Sequence, residues 1–234
     1  MSFDPSKFTT PQAKPLPVVL LLDVSGSMSV QNKIDHLNNA VREMIESFTQ
    51  EEKMETEIII SVITFGESVE LQIPFTRASQ VVASPLIASG LTPMGTALKM
   101  AKAMIEDKEA TPSRAYRPTV VLVSDGQPTD NWQGPLDDFV SNGRSSKCDR
   151  MAMAIGRDAD ASVLNRFIAG TPHELFTAAN AGQLHEFFKR VTMSVTIRSQ
   201  SKNPNEVLEL PSPAEKQIEP LASQNNDNGD EGFW

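Results

Sequence analysis

The run "LPVVLLLD", from Leu16 to Asp23, is aliphatic apart from Pro17 until it meets an acid. A strand with one wet face alternates apolar and polar residues, whereas an unbroken apolar run needs cover on both faces, as in a parallel sheet. The same grammar returns in "TEIIISVITF" (Thr56 to Phe65), "RPTVVLVSDG" (Arg117 to Gly126) and "CDRMAMAIG" (Cys148 to Gly156). Between these runs the period changes. Ile34, Leu37, Val41, Met44, Ile45 and Phe48 recur at spacings of three and four, which marks an amphipathic helix. Leu98, Ala101 and Ile105 give a second helix from about Gly95. Further helices are expected in "PLDDFVSNG", stopped at Gly143, in "DADASVLNRFIAG", capped by Asp158 or Asp160, and in "GQLHEFFKRVTMSVTIRS". A weaker helix is expected over Arg77 to Leu86. "SVELQIPF" alternates, with Val69, Leu71 and Ile73 on one face, and predicts an antiparallel edge strand; "HELFTAA" predicts a short strand. Strand and helix in alternation specify the α/β class: a doubly wound, mostly parallel sheet with one antiparallel edge strand and helices on both faces.

Three segments follow. Residues 1–14 are a polar arm with prolines, residues 15–198 form the folded body, and residues 199–234 are an acidic tail. The tail opposes two lysines to seven acids, so five of the nine net negative charges lie there. Rich in Pro, Ser and Asn, it is expected to be disordered, with "VLEL" and Phe233-Trp234 as apolar islands. The Phe-Trp end invites the hypothesis of docking into a partner. The negative balance argues against nucleic acid, which needs a basic footprint. A single cysteine, Cys148, excludes an intrachain disulfide. The absence of a signal-type or membrane-length apolar stretch makes a cytoplasmic protein the expectation. A monomer is the default.

The ends of the strands carry the chemistry. Asp23, Ser25 and Ser27 follow the first strand at alternate positions; Thr92 lies in "SGLTPMG" and Asp125 in "SDGQPTD". In a doubly wound sheet such loops gather at one edge, where ligands bind at the switch in strand order. Two carboxylates and three hydroxyls, without Cys or His, suit a hard ion: Mg²⁺, or Mn²⁺ or Ca²⁺. Taken alone, Ser25 and Ser27 could be turn formers and Asp23 a helix cap. Asp130 reads as a loop or cap residue, or as an acid behind the ligands. Trp132 is either a contact at the rim or local packing. His36, His173 and His185 lack motif spacing, and Cys148 reads as a buried inert thiol. Met94, Met100, Met104, Met151 and Met153 read as core. No lysine or histidine is placed by motif beside the site.

Asp-x-Ser-x-Ser at a strand end, a later threonine loop and a later Asp-Gly loop together resemble the von Willebrand factor type A family, over about Leu16 to Ile197. The resemblance implies a Rossmann-like domain with a metal-ion-dependent adhesion site. By motif position it assigns Asp23, Ser25, Ser27, Thr92 and Asp125 as ligands, with Thr96 able to replace Thr92 if the register shifts. It also implies protein binding through a partner's acidic residue. Gly90-Leu91 stands where the family has a glycine pair. "VVLLLDVSGSM", "SVITFGESVEL", "GLTPMGTAL" and "YRPTVVLVSDGQPTDNW" look most like bacterial TerY-type proteins of tellurium-resistance and stress clusters. That narrower likeness implies a non-enzymatic adaptor or scaffold beside kinase and phosphatase partners, in stress response or phage defence. Two other classes stand beside it. One is a Mg²⁺-dependent hydrolase or phosphatase with Asp23 as nucleophile, which the missing second acid at Ser25 disfavours. The other is a structural subunit whose metal only stabilises.

Overall fold

A computed structural model describes residues 13–51 and 56–207. The element order is β1 (Lys14–Asp23), α1 (Lys33–Gln50), β2 (Thr56–Phe65), β3 (Val69–Arg77), α2 (Met94–Glu106), β4 (Thr119–Ser124), α3 (Gln133–Ser141), β5 (Asp149–Ile155), α4 (Ala161–Ile168), β6 (Phe176–Ala178) and α5 (Ala181–Gln200). The six strands form one sheet in the order β3-β2-β1-β4-β5-β6. Only β3 runs antiparallel, against β2; every other pairing is parallel. The doubly wound α/β expectation holds.

β1 is central because its side chains serve two cores. Leu16, Val18, Leu20 and Leu22 join α1 and α5, with Leu37, Phe48, Phe187 and Val191. Val19 and Leu21 join α2, α3 and α4, with Leu98, Phe139 and Phe167. Each fully buried aliphatic side chain contributes about 1.5–3 kcal/mol, which is why an unbroken apolar run is stable where both faces of its strand are covered. The prolines of β1 are tolerated by register. The β1–β4 ladder begins at Val18, beyond Pro15 and Pro17, so their missing amide donors cost that ladder nothing.

Three expectations need correction. No α-helix covers Arg77 to Leu86: a 3₁₀ turn at Ala78–Gln80 gives way to irregular chain. Pro85 lacks an amide donor and biases Ser84 away from helix. The side-chain amide of Asn38 on α1 takes over the backbone partners there, donating to the Leu86 carbonyl at 3.0 Å and accepting from its N–H at 2.7 Å. The one-faced alternation of β3 also fails. Register shifts around Val62 put Ile73 into the α1–α5 core and Val69 against the other core, while Leu71 is exposed. Such a shift flips side chains between faces. The folded body also passes residue 198. Arg198 is fully buried, and its Nε donates to the Pro204 carbonyl at 2.8 Å, tying the chain after α5 to the sheet. A buried guanidinium needs such acceptors. The expectations for "VLEL" beyond Val207 and for Phe233-Trp234 lie outside the described residues.

Asp160, rather than Asp158, caps α4, accepting from the amides of Ser162 and Val163. No described helix is long and apolar enough to cross a membrane.

Candidate metal centre

The strand order reverses between β1 and β4, and Asp23 and Asp125 stand at the carboxyl ends of these two strands. Leu22 pairs with Val123, so the next residues, Asp23 and Ser124, are neighbours. The Ser124 hydroxyl donates to Asp23 Oδ2 at 2.6 Å, and the Ser25 amide donates to Asp23 Oδ1 at 2.8 Å. Asp23 is fully buried. Burial pushes its carboxyl above the ordinary aspartate range; the Ser124 and Ser25 hydrogen bonds oppose the rise, and the nearby Asp125 charge adds to it.

The second carboxylate is wired to the same loop. Ser25 Oγ and Ser27 Oγ are 2.9 Å apart, and Ser27 Oγ donates to Asp125 Oδ1 at 2.6 Å. Ser25 and Asp125 are buried, while Ser27 is open to solvent. Thr92 is buried, and a Cβ built on Gly126 would stand 3.5 Å from its Oγ1, which sets the hydroxyl against the Asp125-Gly126 loop. Backbone bonds lock the loops together: Gly26 N–H to the Gly90 carbonyl (3.0 Å), Ser89 N–H to the Val24 carbonyl (2.7 Å), and Thr129 N–H to the Thr92 carbonyl (2.9 Å). Gly90 has φ +75°, and a Cβ there would fall 2.3 Å from the Glu67 backbone, so this position requires glycine. Leu91, where the family pattern has its second glycine, is 67% exposed and meets no such limit.

The structure thus brings Asp23, Ser25, Ser27, Thr92 and Asp125 to one edge. It separates Thr96 from them, since the Thr96 hydroxyl donates to Asp130 Oδ2 at 2.8 Å. Asp130 also accepts the amides of Gly95 and Thr96, so it caps the start of α2 from across the fold. Trp132 packs locally, with the Arg166 guanidinium 5.4 Å from its ring centre. Cys148 is buried, and burial pushes its thiol up to about 12, so it stays protonated. Met94, Met151 and Met153 are buried in the core, and Met100 and Met104 pack against it. His173 bonds Asp149 at 2.7 Å, far from the site at the opposite end of β5.

Two site residues escaped the sequence reading. Ser124 carried a usable signal, because it closes the strand beside β1. Lys33 carried none: no motif places a lysine beside the site, yet its Nζ donates to Asp125 Oδ2 at 2.6 Å.

The donor set fits a hard divalent ion. Two buried carboxylates share one knot of hydroxyls, and the buried charge on Asp23 lacks a cationic partner within that knot. Among the described residues no group of three or more His, Cys, Asp or Glu gathers anywhere, so an ion here depends on hydroxyl oxygens, as magnesium-type sites can. As a nucleophile Asp23 is poorly placed: it is fully buried and both its oxygens already accept hydrogen bonds.

Comparison with known proteins agrees with this geometry. A family model described as the von Willebrand factor type A domain matches residues 18–190. A von Willebrand factor type A structure from Catenulispora acidiphila superposes with a TM-score of 0.60 at 19% identity, covering 78% of this chain and 42% of that one. Proximal thread matrix protein 1 of the mussel byssus, solved with a zinc-occupied MIDAS motif, gives 0.59 at 16% identity, covering 77% and 48%. The ArnB paralog VWA2 of Sulfolobus acidocaldarius gives 0.57 at 17%, covering 75% and 44%. The chain therefore spans less than half the length of each of these structures. No curated protein sequence matches. With the sheet order, the hydroxyl-linked acids at its switch point and the match over residues 18–190 in agreement, the chain belongs to the von Willebrand factor type A domain family.

Proposed function

We propose that the chain is a metal-dependent protein-binding module. A divalent ion, Mg²⁺ or its analogues Mn²⁺ and Ca²⁺, is held by Asp23, Ser25, Ser27, Thr92 and Asp125 and takes an Asp or Glu carboxylate from a partner protein. The observation that carries this reading is the wiring of two buried carboxylates through Ser25 and Ser27 at the switch point. Two carboxylates and three neutral hydroxyls make five donors, one fewer than an octahedral ion takes, so a bound dication keeps a position for a carboxylate from outside. No bond is made or broken in this reading.

The rim supports a protein partner. Val30, Ile87 and Leu91 are 55%, 79% and 67% exposed on the loops that carry or brace the ligands. Exposed apolar side chains grouped around a polar site mark an interaction surface. The partner presents an acid flanked by apolar residues. The narrower reading, a TerY-type adaptor acting as a cytoplasmic monomer beside a kinase or phosphatase in stress response, tellurite resistance or phage defence, rests on the sequence resemblance.

The test is capture of partners from native lysate by the wild type in Mg²⁺, by the wild type in chelator, and by Asp125→Ala in Mg²⁺. Capture confined to the first arm supports the module. The same proteins in all three arms would place recognition elsewhere. Metal that raises stability while no arm captures anything would favour a structural subunit.

A further inference from the structure

Lys33 is the first residue of α1, and the chain reaches it by a strained path. The 3₁₀ segment Gly26–Asn32 that carries Ser27 breaks at Val30 and Gln31, and Gln31 and Asn32 both have φ +56°. Two consecutive left-handed residues, neither of them glycine, are uncommon, and such strain persists where the surrounding structure gains from it. Here it sets the Lys33 ammonium on Asp125 Oδ2, at 2.6 Å, with the lysine side chain only 17% exposed. The amine lies between Asp125 and the turn after β5, where a Cβ built on Gly156 would stand 3.9 Å from Nζ. The other oxygen of Asp125 accepts from Ser27.

We propose that Lys33 is a tethered cation that competes with the divalent ion for Asp125 and so sets the metal affinity of the site. This rests on the metal-binding reading above. The physical ground is charge. The two carboxylates supply two negative charges, and Lys33 neutralises one of them before an ion arrives. A dication sharing Asp125 with an ammonium is repelled by it at short range, in a partly buried place where screening is weak. Binding the ion therefore loosens or displaces Lys33. Because Lys33 follows directly on Gln31 and Asn32, that displacement shifts the loop bearing Ser27 and Val30, part of the proposed partner surface. By linkage, whatever holds the start of α1 against Asp125 weakens metal binding, and metal weakens that hold by the same factor. The lysine thus tunes the site so that ion and partner carboxylate are captured together.

The test is calorimetric titration of Mg²⁺ and Mn²⁺ into the full chain, at fixed pH and ionic strength, for wild type, Lys33→Met, Lys33→Gln and Lys33→Arg. Gln can still donate to Asp125 but carries no charge, and Arg keeps the charge. Expected is roughly tenfold tighter metal binding in Met and Gln, equivalent to about 1.4 kcal/mol, with Arg close to wild type. In wild type the amide resonances of Gln31 to Lys33 should shift on adding Mg²⁺. Unchanged or weaker binding in both Met and Gln overturns the proposal. No binding heat in any of the four proteins at millimolar metal removes the metal-site reading itself, and this one with it.

Discussion

The two edges of the sheet bury carboxylates in opposite ways. At the amino edge, Asp149 opens β5 and is fully buried, but partners from the fold meet it: His173 Nε2 at 2.7 Å and the Arg198 guanidinium at 3.6 Å. Arg198 is itself caged by oxygen acceptors, Thr119 Oγ1, the Arg117 carbonyl and the Pro204 carbonyl. At the carboxyl edge, Asp23 and Asp125 meet hydroxyls, one amide and the single partly exposed Lys33. In the first network the carboxylate is answered by a cation inside the fold, although Asp149 Oδ2 accepts no hydrogen bond and meets Arg198 only as an ion pair. The second leaves charge to be answered from outside. Desolvation penalises both edges; only at the carboxyl edge is the compensation left to a ligand.

Several measurements sharpen or break that contrast. The largest effect is expected at the amino edge. Arg198→Met strands the Asp149 charge in the interior and should cost about 3–5 kcal/mol, read by denaturant unfolding; a loss below 1 kcal/mol would show the network to be solvent-relaxed. Next comes the carboxyl edge. Mg²⁺ at a hundred times its Kd should stabilise the wild type by about 2.7 kcal/mol, seen as a rise in Tm, and Asp125→Ala should abolish the rise. The sharpest comparison is one chemical change made at both edges. In chelator, Asp23→Asn should stabilise the chain by about 1 kcal/mol, because it removes a buried charge while an amide can still pair with Ser124 and Ser25. Asp149→Asn should instead destabilise it by about 2 kcal/mol, having discharged a partner of Arg198. Equal signs would mean the edges do not differ as argued.

The raised Asp23 carboxyl fixes the sense of the pH dependence. Between the unfolded and the folded titration points the native state holds the extra proton. Its contribution to stability is therefore fully present below the unfolded value and is lost as pH rises through the folded one. Asp23→Asn should flatten that loss. The smallest effect belongs to the strained approach to Lys33. Gln31→Gly should relieve the left-handed φ and gain about 0.5 kcal/mol in thermal unfolding.

Much of this was written locally. The unbroken aliphatic runs ending in Asp23 and Ser124 specify parallel strands, because only a doubly covered strand can hide every side chain. Asp23, Ser25, Ser27 and Asp125 follow from where β1 and β4 stop, because the carboxyl ends of parallel strands share one edge, whereas Thr92 reaches that edge on the irregular chain that leads into α2. Local pattern misleads where a partner from elsewhere overrides it. Asn38 on α1 holds Leu86 in an irregular segment, and the register shift beside Val62 turns Ile73 to the opposite face from the one its spacing suggests.

What only the tertiary structure decided are the pairings between residues far apart in the chain. Lys33 meets Asp125 across 92 positions, Ser124 meets Asp23 across 101, and Asp130 takes Thr96 out of the metal site across 34. Periodicity and strand-end chemistry are short-range signals, so they determine the elements and the edge on which the donors gather. Which cation answers which carboxylate depends on loop paths, such as the left-handed Gln31-Asn32 step. Those paths are fixed only when the whole sheet is packed.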